Sequence, residues 1–203
     1  LFDRISGGLP GLAEIAAEAG LGFEADSTAN IYNQVSLLKA FEAGASAACP
    51  SVELTGSQLL RLAACAGKLH AERPAADRQE AGKPGSNARR FDRSIFYLEW
   101  FVYGRQRLMY SSYCPVGSNV AGCNRCEGHR YHLQDRKARQ MPLLLAPPYC
   151  TVTILNAEPI TPPTNLPQLI KLAPARLRLL FLEERQAERT RLVNQMREFE
   201  RIN

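Results

Sequence analysis

The chain has 203 residues, 45% hydrophobic and 22% charged, a globular composition that excludes a wholly disordered or collagen-like protein. Lys and Arg total 25 against 20 Asp and Glu, a net charge of +5 that fits an RNA-facing protein and is mild enough to fit many others. Its longest apolar stretches, such as residues 141–146, are far shorter than the ~20 residues that span a bilayer. There is no charged start followed by an apolar run, so no signal peptide is visible and a cytoplasmic, non-membrane protein is expected.

Residues 12–20 read as a short Ala-rich helix stopped by glycine. Alternating Leu21, Phe23 and Ala25 predict a strand that runs into a loop at Asp26. Val35, Leu38 and Glu42, with Leu37 and Phe41, give the spacing of a helix ended by Gly44, and residues 45–49 read as a small-residue buried strand. Thr55 is a candidate N-cap for a helix whose apolar face is Leu59, Leu60, Leu62 and Ala63. The alternation predicts parallel βα units rather than an antiparallel sandwich.

Residues 71–93 break the pattern with prolines, glycines and charges, and read as a flexible surface excursion. Arg89, Arg90 and Arg93 offer an alternative, an RNA-contacting arm. Residues 94–103 (SIFYLEWFVY) predict a strong strand with Glu99 alone inside it. That carboxylate is either a functional acid or the partner of Arg105 or Arg107, because a lone buried carboxylate is costly. Residues 151–155 and 177–182 read as further strands, separated by a proline-rich stretch that allows only a short helix. Residues 183–202 form a charged amphipathic helix with a narrow stripe of Leu192, Val193, Met196 and Phe199.

Six cysteines are too few for a disulfide scaffold in a chain this long. Cys49 and Cys65 stand apart in apolar company, whereas Cys114, Cys123, Cys126 and Cys150 follow a C-x8-C-x2-C-x23-C spacing. The close pair can grip one metal centre from a tight turn. One pair plus two singles suits a [4Fe–4S] cluster. His129 and His132, following the pair, keep zinc open, and structural thiols without a ligand remain the third reading.

Several motifs in order resemble peptidase family U32, the collagenase-like peptidases. They are LEWFVYGRQRLM at 98–109, SYCP at 112–115, CNRC at 123–126, YHLQDRK at 131–137, MPL at 141–143, Cys150 and LNA at 155–157. Upstream, ADSTANIYN at 25–33 and PSVEL at 50–54 fit as well. The resemblance covers about residues 20–183 and is to the repeated C-terminal portion of long family members. It implies an α/β, partial (β/α) TIM-barrel-like fold with a cysteine-bearing loop region. Residues 1–182 would be the half-barrel domain, with the insertion at 71–93 and the cysteine region at 114–150. The helix at 183–203 follows.

The resemblance also implies a cluster held by Cys114, Cys123, Cys126 and Cys150. The activity implied is hydroxylation of a pyrimidine in tRNA or rRNA, with a prephenate-like dicarboxylate as oxygen source. A peptide-bond hydrolase and a non-catalytic iron–sulfur scaffold for RNA are the alternatives. The chain departs from the family's first-barrel signature: Tyr103 precedes the Gly, and Arg107, Leu108 and Met109 stand where a Cys would fall, which takes support from the peptidase reading. Serine-type catalysis lacks a Gly-x-Ser-x-Gly elbow.

Barrel chemistry sits at the C-terminal ends of strands. On that rule Asp26, Asn30, Asn33, Glu53, Glu99, Arg105 and Asp135 are candidates. Glu99 and Asp135 are candidate catalytic acids. Asp26, Asn30, Asn33, Arg105 and Arg136 are candidate substrate-binding residues, the two arginines for the dicarboxylate. A complete (β/α)8 barrel takes about 250 residues, so an upstream barrel half of the same protein is expected as a partner, and a stable, active isolated chain is not.

Overall fold

The helix stops and strand periodicities of the first hundred residues become alternating strands and helices in the computed structural model, which describes residues 3–72, 97–117, 123, 125–126, 129–173, 175–182 and 184–201. The elements are β1 (Arg4–Gly7), α1 (Leu12–Glu18), β2 (Gly22–Ala25), α2 (Gln34–Glu42), β3 (Ala45–Ala48), α3 (Gly56–Glu72), β4 (Tyr97–Tyr103), β5 (Arg107–Ser111), β6 (Tyr131–Gln134), β7 (Gln140–Ala146), β8 (Thr151–Leu155), α4 (Leu166–Leu172), β9 (Ala175–Leu179) and α5 (Gln186–Arg201). The chain divides into two compact units, Leu1–Val102 with Pro162–Asn203, and Tyr103–Thr161.

The first unit is α/β. Its sheet has the order β1-β2-β3-β4-β9, with β1 to β4 parallel, so the strands follow one another in chain order. Gly20 (φ 67°) and Gly44 (φ 96°) end α1 and α2 in the left-handed region that a side chain resists. Asn33 opens α2 with a capping box shared with Ser36. Gln58 accepts the Thr55 amide at the start of α3, the reverse half of such a box. Leu98, Trp100 and Val102 alternate inward along β4 and pack with Leu37, Leu62, Leu166 and Leu169 in the main core. Gly67 of α3 lies so close to the Leu172 carbonyl of α4 that no Cβ fits between them.

On the opposite face of this sheet charged side chains meet. Glu24 of β2 takes Arg4 of β1 at 2.8 Å and Arg176 of β9 at 2.6 Å. Arg178 of β9 bonds Ser6 of β1 at 3.1 Å. Strands are spaced by about 4.8 Å, so a flat sheet would hold its first and fifth strands about 19 Å apart. Side chains from both ends touch, so the sheet curls strongly around this polar face. Among the described residues β1 and β9 remain its two edges.

The second unit corrects the expectation of a loop region. It is a four-stranded antiparallel sheet, β5-β8-β7-β6, with a small core of Leu143, Val152 and Ile154. Short polar strands such as YHLQ hide from a period-based reading. Two other readings shift. β1 is a strand the sequence did not announce, since RISG offers one large apolar residue. The last strand begins at Ala175 rather than 177, because its alternating arginines face the polar side. Residues 71 and 72 close α3, and the remainder of the 71–93 excursion lies outside the described residues, as do residues 94–96. Among the described residues no helix is long and apolar enough to cross a membrane.

Candidate functional site

The four clustered cysteines come from three segments of the second unit. After β5, Ser111 Oγ accepts the Tyr113 amide at 3.0 Å, which turns the chain at the approach to Cys114. Pro115 follows, and the Gly117 N–H returns to donate to Cys114 Sγ at 3.3 Å. Cys150 ends a short turn, Pro147–Tyr149, and adopts the left-handed conformation (φ 48°) before β8 begins. Its thiol donates to the Pro147 carbonyl at 3.8 Å. Cys114, Cys123, Cys126 and Cys150 all line one open concavity together with Gly117 and Arg125. Cys123 is exposed and the other three are half-buried.

Gly117 holds the key position. A Cβ there would stand 2.9 Å from Cys123 Sγ and 3.9 Å from Cys114 Sγ, so both sulfurs crowd the one place where the chain lacks a side chain. No carboxylate or imidazole lines the concavity among the described residues. His129 stacks obliquely on Tyr131 instead, with ring centroids 6.2 Å apart. Also among the described residues, no three His, Cys, Asp or Glu side chains converge into a coordination sphere. The four cysteines line the concavity without forming a closed coordination sphere.

The remaining candidates divide. Asp26, Asn30 and Asn33 do follow the C-terminal end of β2, and Glu53 follows β3. Asp26 accepts the Thr28 amide at 2.7 Å, Asn30 is left-handed (φ 56°), and Asn33 caps α2. Glu53 accepts from the Tyr32 hydroxyl at 2.7 Å. Arg105 donates through Nη1 to the Asn156 carbonyl at 3.0 Å and to that of Ala157, which fastens the start of the second unit to its end.

Two placements are corrected. Glu99 lies in the body of β4 rather than at its end, and its partner is neither Arg105 nor Arg107 but Arg178 of β9, 2.6 Å away. The pair is close but off the hydrogen-bonding direction, and Glu99 Oε2 accepts no well-aligned bond. Asp135 lies at no parallel strand end; it forms the β6–β7 turn, where it accepts the Lys137 and Arg139 amides and the Arg139 side chain. Arg136 is exposed in the same turn.

The sequence reading missed the polar face of the first sheet, formed by Ser6, Glu24, Arg176 and Arg178. The signal was available in Ala-Arg-Leu-Arg-Leu at 175–179, a strict two-residue alternation. Cys49, fully buried just past β3, belongs to the same surroundings. Burial, followed by the negative charge of Glu99, pushes its thiol up to about 12. It therefore stays protonated at neutral pH and is no nucleophile.

Comparison with protein-family models, with curated proteins and with solved structures gave no significant match.

Proposed function

We propose that the chain is an iron–sulfur enzyme, or the iron–sulfur-bearing part of one, that hydroxylates a pyrimidine base of tRNA or rRNA. The observation that carries this reading is the meeting of Cys114, Cys123, Cys126 and Cys150 around one concavity, although up to 23 residues separate neighbours in sequence. The donor set fits such a cluster: four soft thiols with no carboxylate among the described lining residues, and an N–H to sulfur contact of the kind that tunes a cluster's potential. A [4Fe–4S] cluster bound by the four thiolates would supply one-electron redox chemistry. The protein's own contribution is positional. Gly117 leaves room for two sulfurs, the prolines at 147 and 148 stiffen the approach to Cys150, and Arg125 adds a cation beside the thiols.

The finer fold reading, a partial (β/α) TIM-barrel-like unit similar to peptidase family U32, draws support from the sequential strand order and the strong curl of the first sheet. The net charge supports RNA as the macromolecular partner. A prephenate-like dicarboxylate as oxygen donor, with Arg136 as an exposed cation to meet it, completes the proposal.

Anaerobic purification tests the cofactor. The expected product is brown protein with about four iron and four sulfide per chain. Colourless protein with one tightly bound zinc overturns the cluster. Mass spectrometry of RNA nucleosides from cells with and without the gene tests the reaction: one hydroxylated pyrimidine should disappear, and an unchanged nucleoside profile overturns the activity.

A further inference from the structure

The second unit concentrates charge. Residues 103–161 contain seven Lys or Arg against three Asp or Glu, so four of the five net positive charges fall in under a third of the chain. The same unit holds Tyr110, Tyr113 and Tyr149, which are 68%, 74% and 80% exposed. Its sheet turns Leu143, Val152 and Ile154 into the small core on one face. On the other face Tyr110 of β5 stands opposite Thr153 of β8, which stands opposite Leu144 of β7. Tyr110 and the 40% exposed Leu144 thus form one open row across three strands. Arg130, one residue before β6 and exposed, continues that row by register. Tyr113 and Tyr149 lie on the segments leading into Cys114 and Cys150.

An edge strand that presents Leu108, Met109 and Tyr110 to water invites association. The chemistry of what binds follows from the charge. A ring on an open sheet face, with two more exposed rings on neighbouring segments and a cation continuing the row, suits unstacked bases with their phosphates at the rim. An apolar polypeptide partner would leave the cation excess without a role. We propose that this face of the four-stranded sheet, centred on Tyr110 and Leu144, is a docking platform for single-stranded RNA, whose strand passes over Tyr113 and Tyr149 toward the cysteine concavity. The choice of RNA over DNA rests on the RNA-hydroxylation reading.

The test is fluorescence anisotropy of the full 203-residue chain with a labelled single-stranded uridine-rich RNA of about 12 nucleotides. Wild-type protein should bind, with affinity falling steeply as salt rises. Tyr110→Ala should weaken binding by about 10-fold, the scale of one lost stacking contact. Leu144→Ser should weaken it less, and Val35→Ala, at an exposed position on α2, should leave it unchanged. Circular dichroism melts of each variant serve as the folding control. Absence of wild-type binding at low salt overturns the platform, as does wild-type affinity in folded Tyr110→Ala. Sedimentation that shows Tyr110→Ala abolishing self-association while RNA affinity persists overturns it in favour of a protein interface. Loss of the hydroxylated nucleoside on gene deletion, with RNA binding insensitive to Tyr110, would sink the platform and keep the enzyme. Tyr110-dependent RNA binding with an unchanged nucleoside profile would do the reverse.

Discussion

A single missing side chain at position 117 shapes the cysteine concavity. Gly117 is outside the positive-φ glycines, so alanine is conformationally acceptable there. What alanine lacks is space, because its methyl group would press on Cys123 Sγ at 2.9 Å. Gly117→Ala should lower metal affinity by about 10–100-fold, the effect of disturbing a ligand's supporting shell. Competition with a chelator measures this, and an unchanged loading curve would show that Cys123 is not a ligand. At the polar face of the other unit, Glu99 offsets the charge of Arg178, with side chains only 12% and 25% exposed. Glu99→Gln leaves that cation without its counter-charge and should cost about 1–3 kcal/mol, less than the loss for a fully buried pair. Pairing it with Arg178→Met should recover most of the loss in urea melts. Equal losses in the single and double variants would show that the two charges do not interact.

Among the elements, two tests separate close packing from turn electrostatics. Alanine normally favours a helix over glycine by about 1 kcal/mol. At Gly67 the sign reverses, because the Leu172 carbonyl occupies the place a methyl group would take. Gly67→Ala should therefore destabilise by about 1–3 kcal/mol, and a stabilised variant would show that α4 yields readily. In the β6–β7 turn the Arg139 amide, then the Arg139 side chain, and the Lys137 amide hold the Asp135 carboxyl below the ordinary carboxylate range. A lowered value means the turn is favoured at neutral pH, and the gain fades as pH falls through that lowered value. Asp135→Asn should loosen the hairpin at pH 7 and match wild type only in strong acid. Exchange of the Ala138 amide, which bonds the Asp135 carbonyl, reports this; a difference independent of pH would contradict it.

These elements also show what a sequence can disclose. α2 and α3 were readable because caps and glycine stops are local chemistry. β5 to β7 were not, because their apolar positions serve a small, partly open core and leave weak alternation. The four cysteines were legible from spacing alone. The partner of Glu99 was not, because Arg178 arrives on β9, far along the chain, and only the placing of β9 beside β4 in the sheet brings them together.

For the molecule as a whole, the two cores are unequal. Among the described residues, nineteen buried ones form the first and three the second. Opening free energy follows buried apolar contact, so the second unit should be the less protected. Hydrogen exchange should proceed faster in β6, β7 and β8 than in β2, β3 and β4, and metal loading should slow it in the second unit through linkage. Equal protection in the two sheets of the metal-free protein would refute the ranking.

The place of β9 in the strand order matters during synthesis. β4 waits for a neighbour that the ribosome has not yet made, since the entire second unit is translated before Ala175 appears. At roughly 5–20 residues per second, the outer edge of β4, with its Tyr, Trp and Phe, stays open for several seconds on every nascent chain. Slowing elongation across residues 104–174 would lengthen that interval, and chaperone occupancy of the nascent chain should rise with it.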